Sequence, residues 1–137
     1  MATAVFVPTS SVLTINSVDL SDQCQSAVMR YEKEALAKDT IASTARTFTA
    51  GLENNSVSVT LMQSYASSEP WATLKSLIGT TTTVTIKVAS GSASATNPVH
   101  TLTGCYLAGL DVYNSAAGEL SQVVAEFTGG SYTTVEV

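Results

Sequence analysis

Between Ser56 and Ser64, apolar and polar positions alternate without a break. Val57, Val59, Leu61 and Gln63 stand against Ser58, Thr60, Met62 and Ser64. Successive side chains of a strand point to opposite faces, so this rhythm describes a strand with one buried face and one wet face. The same period returns along the chain. In Thr80–Val88 it sets Val84, Ile86 and Val88 inward. In Cys24–Glu34 it sets Ala27, Met29 and Tyr31 against Ser26, Val28, Arg30 and Glu32. Val12–Ile15 reads as a short strand and Glu119–Thr128 as a further one. Val99–Tyr113 reads as a long strand bent at Gly104 or Gly109, where glycine permits a bulge. Gly129-Gly130 reads as the start of a last hairpin into Ser131–Val137. Turn chemistry punctuates these runs at Asn16–Asp22 (with Val18 and Leu20 as apolar plugs), Asn54-Asn55, Gly91–Pro98 and Asn114–Gly118.

One segment has a helical period. Ser67 or Ser68 can cap free amides, Glu69 and Pro70 suit a first turn, and Gly79 suits the exit. Trp71, Leu74, Leu77 and Ile78 then form one apolar stripe, with Trp71 as a core anchor. The expected fold is mainly β: a single domain over residues 1–137, an antiparallel sandwich or small barrel of about seven strands. One helix, over about residues 68–78, closes an open side. Residues 1–11, broken at Pro8, read as an extended N-terminal arm.

Residues 35–52 break the pattern. Thr, Ala and Ser dominate, punctuated by Lys38, Asp39, Arg46 and Gly51. The run Glu32–Lys38 fits a helical turn as well as a strand. A patternless stretch of this length is usually functional or disordered, and Ile41, Phe48 and Leu52 have no evident partner within the chain.

Composition narrows the chemistry. Charged residues make up 12% of the chain, against an average near 25%. Eleven Asp+Glu against six Lys+Arg give a net charge of −5. Without a basic cluster the chain has no counterion-release grip on nucleic acid. The N-terminus lacks the features of a secretory signal, and no apolar run approaches a membrane helix, so a soluble, reducing compartment is expected. Cys24 and Cys105 fit small buried thiols, although spacing leaves a bridge between them open. His100, Cys24 and Cys105 are too scattered for zinc. His100 and Cys105, five apart on one strand, are expected on opposite faces, with His100 exposed. No Gly-x-Ser-x-Gly elbow occurs, and Glu32 with Glu34 reads as a solvated face. The Gly91–Ala95 run leads into a strand, where a phosphate cradle would need a helix. No catalytic residue, metal or cofactor is expected.

The order of elements carries a resemblance. A Val18-Asp19-Leu20 turn follows the first strand, and a strand then enters a long segment ending at Gly51. Next come a strand of alternating Val and Leu and a helix with Trp71, Leu74, Leu77 and Gly79. A loop with Asn97-Pro98 and two long strands joined through Gly118-Glu119-Leu120 complete the chain. From Val12 onward this resembles the major tail protein, or tail tube protein, of long-tailed, siphovirus-type bacteriophages. The resemblance implies hexameric rings stacked into a tube, with DNA passing through the lumen without specific contact. It implies residence in the virion tail after assembly in the host cytoplasm, no membrane anchor, and tape measure and terminator proteins as partners. It implies that one sheet lines the channel and that the loop of residues 35–52, with Lys38, Asp39, Ile41, Arg46, Phe48 and Leu52, reaches another subunit. Arg30, Glu32, Ser58, Thr60, Gln122 and Glu126, polar alternates on long strands, are candidates to face the lumen, with the sheet's other face as the alternative lining. A head–tail connector or a capsid decoration protein shares the same character. A carbohydrate-binding sandwich would need converging exposed aromatics, and the tyrosines are dispersed.

Overall fold

The computed structural model describes residues 10–136. The expected N-terminal arm at 1–11 lies outside them except for Ser10 and Ser11. Ten strands and one short helix run in the order β1 (Val12–Ile15), β2 (Val18–Asp19), β3 (Cys24–Arg30), β4 (Lys33–Ala37), β5 (Phe48–Glu53), β6 (Ser56–Met62), α1 (Pro70–Leu74), β7 (Thr81–Lys87), β8 (Val99–Leu110), β9 (Gln122–Thr128) and β10 (Ser131–Val135). Every pairing is antiparallel. Eight strands form one sheet in the order β2-β1-β7-β8-β9-β6-β3, with β10 also on β8, while β4 and β5 pair only with each other.

The sheet doubles over at a glycine corner. β9 lies along Tyr106–Leu110 of β8, and β10 lies along Val99–Thr103 of the same strand. Gly129-Gly130, expected to open a hairpin, is therefore a bend within one continuous course down β8. Gly129 (φ 78°) and Gly130 (φ 87°) lie opposite Gly104 (φ 75°) of β8, and all three use left-handed backbone that only glycine adopts at no steric cost. A Cβ on Gly130 would sit 2.7 Å from the Thr103 carbonyl oxygen and 2.8 Å from the Cys105 nitrogen. The corner turns β3-β6-β9 into one leaf and β2-β1-β7-β10 into the other, with β8 shared.

The inner faces supply the core: Val57, Val59, Leu61, Val123, Ala125 and Phe127 from one leaf, Leu13, Ile15, Val84 and Leu102 from the other. The alternation read in β6 is realised in full, since every second residue is buried. Leu20 plugs one end as expected, at 1% exposure. The bulge at Gly104 shifts the parity of β8. His100 and Cys105 consequently both face inward, contrary to the expectation of opposite faces.

The helix is shorter than the expected 68–78. It spans five residues, with extended Glu69 at its N-cap and Pro70 in the first turn, and neither Ser67 nor Ser68 caps it. Past Leu74 the chain tightens, because the Leu77 amide bonds the Leu74 carbonyl three residues back. This turns Leu77 under the sheet beside buried Leu74 and leaves Ile78 exposed. Trp71 is half-buried at the rim, edge-on to Tyr65 at 5.9 Å, and does not anchor the core as expected.

Asn55 ties three junctions together from a buried position. Its Oδ1 accepts the Glu32 amide at 3.1 Å. Its Nδ2 donates to Glu53 Oε1 and to the Gly130 carbonyl, both at 3.0 Å, and its own carbonyl accepts the Gly129 amide at 2.8 Å. Asn55→Ala strands the Glu32 amide and the Gly130 carbonyl, which costs about 2–3 kcal/mol. The urea midpoint falls while the slope of the transition stays constant. An unchanged midpoint would show that water replaces the side chain.

Candidate assembly surfaces

Residues 35–52 do not form a patternless loop: β4 and β5 make a hairpin, with residues 38–47 as its tip. Strand pairing settles the Glu32–Lys38 ambiguity against a helical turn. Among the described residues the hairpin pairs with no other strand, and every residue from Tyr31 to Ala50 is exposed. Sequence alternation records a buried face, and the described residues give this hairpin none. Register places Ala35 opposite Ala50 and Ala37 opposite Phe48, giving one apolar face. A lone two-stranded hairpin is marginal in water, so this element gains its full stability only when covered.

The tip is nevertheless built. The Lys38 amide donates to the Thr47 carbonyl at 3.0 Å, and the Thr47 amide donates to Asp39 Oδ1 at 2.9 Å. Arg46 stands 3.7 Å from Asp39 Oδ2, and Thr40 and Ser43 exchange further bonds. Ile41 projects at the apex, fully exposed. Lys38, Asp39, Ile41 and Arg46 are thus together at the tip, while Phe48 and Leu52 lie back along β5.

Arg30, Ser58, Thr60, Gln122 and Glu126 share a face. Register aligns Val28 with Ser58 and Ser58 with Glu126, then Ser26 with Thr60, and Met62 with Gln122. All lie on the outer side of the β3-β6-β9 leaf, opposite Val57, Val59 and Leu61. Glu32, just past β3, accepts a bond from Arg30 Nε at 2.8 Å. Both side chains are well exposed, so the pair orients them and adds little stability. β3 ends the sheet, and among the described residues its outer edge carries no partner strand. A free edge of seven residues is a template for another chain.

Between the leaves lies a cleft of about 670 Å³, lined by Leu13, Met29, Tyr31, Ile86, His100 and Tyr132 among others. His100, expected to be exposed, is half-buried here, and its Nδ1 lies 2.6 Å from the Tyr132 hydroxyl. Tyr132 also meets Tyr31 edge-on at 4.5 Å, joining the leaves. Cys24 and Cys105 are unbridged, and burial pushes both thiols above their ordinary pKa. Among the described residues no three His, Cys, Asp or Glu side chains cluster as a metal site would require. No helix there is long and apolar enough to cross a membrane.

One surface escaped the sequence reading. β8 stops at Leu110 and β9 starts at Gln122, so Val112, Tyr113 and Leu120, read as strand residues, lie instead on a loop over 111–121 and are more than half exposed. Gln63 Nε2 and the Tyr65 hydroxyl both donate to the Val112 carbonyl, at 3.1 and 3.2 Å. The Gln63 amide holds the Ser121 carbonyl at 3.0 Å.

No protein-family model matches the chain, and no curated protein matches it. Solved structures do. A chain in the sheath/tube terminator of an extracellular contractile injection system, in its extended state, superposes with TM-score 0.72 at 8% identity, covering 98% of this chain and 99% of its own. A chain of the native gene transfer agent virion gives 0.71 at 8% identity, over 92% and 95%. A chain of the SPP1 tail tube gives 0.70 at 10% identity, over 93% and 76%. The protein therefore has the β-sandwich fold found in tail tube and tube-terminator assemblies.

Proposed function

We propose that this protein is a structural subunit of a phage tail, assembling with copies of itself into stacked rings that form the tail tube, with no reaction to catalyse. The observation that carries this reading is the exposed hairpin Lys33–Glu53, an element with an apolar face that nothing among the described residues covers. The free β3 edge adds to it, since a neighbour that pairs there extends the β3-β6-β9 leaf sideways from subunit to subunit. The outer face of that leaf, with Arg30, Ser58, Thr60, Gln122 and Glu126, then lines the channel, and Glu32 stands beside it. A lining with more hydroxyls than cations lets a polyanion slide without the counterion release that would hold it. The rings are hexameric in this reading. The tape measure and terminator proteins are its neighbours, DNA passes without specific contact, and the subunit resides in the virion tail.

Negative-stain microscopy of the purified protein at rising concentration tests it. The expected result is hollow filaments of uniform width with six-fold end views. A connector gives single closed rings, and a decoration protein gives monomers or trimers until offered a shell; either outcome overturns the tube reading.

A further inference from the structure

The two ends of the subunit are unlike. β6 begins at Ser56, beside the root of the hairpin at Asn54-Asn55, and ends at Met62, beside Gln63 and Tyr65, which hold the 111–121 loop. Seven residues of strand separate the hairpin root from that loop by about 20 Å. Each end is preorganised, the tip by Asp39 and the loop by Gln63, Tyr65 and the bond from the Val124 amide to Asp111 Oδ2. Each also exposes apolar side chains that nothing among the described residues covers: Ile41 at the tip, and Val112, Tyr113 and Leu120 at the far end.

Their charges are complementary. Residues 38–47 carry Lys38 and Arg46 against Asp39, a net of +1 on a chain of net charge −5. Residues 111–121 carry Asp111 and Glu119 and neither Lys nor Arg, a net of −2. Tip against tip would oppose like charges, and loop against loop would do the same.

We infer that the hairpin tip of one copy seats on the 111–121 loop of the next copy, head to tail. This rests on the tube reading and names the surface that receives the hairpin. The two patches differ and lie at opposite ends, so the contact is heterologous. It leaves a free tip at one end and a free loop at the other, and growth continues as a filament with two unlike ends.

Complementary variants of the full chain test it. Ile41→Asp removes the tip's apolar apex, and Leu120→Asp places a charge in the receiving loop. Both positions are exposed, and far-ultraviolet circular dichroism checks that each variant folds. Each alone is expected to form no filaments. Mixed in equal amounts they are expected to give one discrete species of twice the unit length, because only the intact loop of the first fits the intact tip of the second. The charge exchange is read separately. Lys38→Glu or Glu119→Lys alone is expected to shift the assembly midpoint at least several-fold toward higher concentration at low salt, and the double exchange is expected to return it. Filaments of normal length from Leu120→Asp, while Ile41→Asp forms none, would overturn this pairing and leave the tube reading standing. Single-chain behaviour of the unsubstituted protein under all conditions would overturn both.

Discussion

Replacing residues 39–46 with Asn-Gly is expected to yield a folded protein that forms no filaments. The deleted residues are exposed throughout and contribute nothing to the core, so the sandwich keeps its stability. Asn-Gly closes a two-residue hairpin turn, and shortening a loop lowers its closure entropy. The deletion takes with it Ile41 and the Asp39–Arg46 pair. Under the proposed function the subunit then lacks the group that reaches its neighbour, and polymerisation falls from complete to undetectable. Sedimentation of polymer, read beside the thermal melt, measures both halves of the result. Filaments from the shortened chain would remove the hairpin from the assembly contact. A lost melting transition would show instead that the hairpin stabilises the sandwich.

Gly130→Ala is expected to destabilise the sandwich strongly. Left-handed backbone costs a residue with a Cβ about 1–2 kcal/mol. The added methyl also meets the Thr103 carbonyl oxygen at 2.7 Å and the Cys105 nitrogen at 2.8 Å. Both are backbone atoms of β8 and cannot rotate aside, so the corner itself must open, adding about 1–3 kcal/mol. The sum is roughly 2–5 kcal/mol in a domain whose whole stability is about 5–15 kcal/mol. A fall in the thermal midpoint of roughly 10 °C or more is expected. Gly118→Ala is the control: its φ is also positive, at 80°, but its Cβ meets nothing. A Gly130→Ala midpoint that falls no further than that of the control would mean that the corner accommodates a methyl group.

Legibility in the sequence follows burial. β6 and β7 were readable because each has one face in the core and one in water, and period two is the trace of that asymmetry. Among the described residues the hairpin Lys33–Glu53 has no buried face, so its residues show no period, and its register is set by backbone hydrogen bonds and the side-chain bonds of its tip. It still betrayed itself indirectly, through Ile41 and Phe48 lacking partners. The long strand does bulge at Gly104 and Gly109, as its glycines suggested, but Gly129-Gly130 was misread. Gly-Gly is a common hairpin turn, and here it bends one continuous strand. The bulge at Gly104 changed the parity that had put His100 on the outside. Asn54-Asn55 looked like an ordinary turn, and nothing local signals that Asn55 is buried among three junctions. The 111–121 loop was hidden because Val112, Tyr113 and Leu120 suit strand ends, and their exposure is decided by where β8 and β9 stop.

The ordering of the hairpin tip has a kinetic consequence. Asp39, Thr40 and Ser43 shape it within the isolated subunit, so part of its conformational freedom is lost before any neighbour arrives. Under the proposed head-to-tail contact, elongation is expected to approach the frequency of correctly oriented collisions, and salt to slow it by screening the attraction between the two ends.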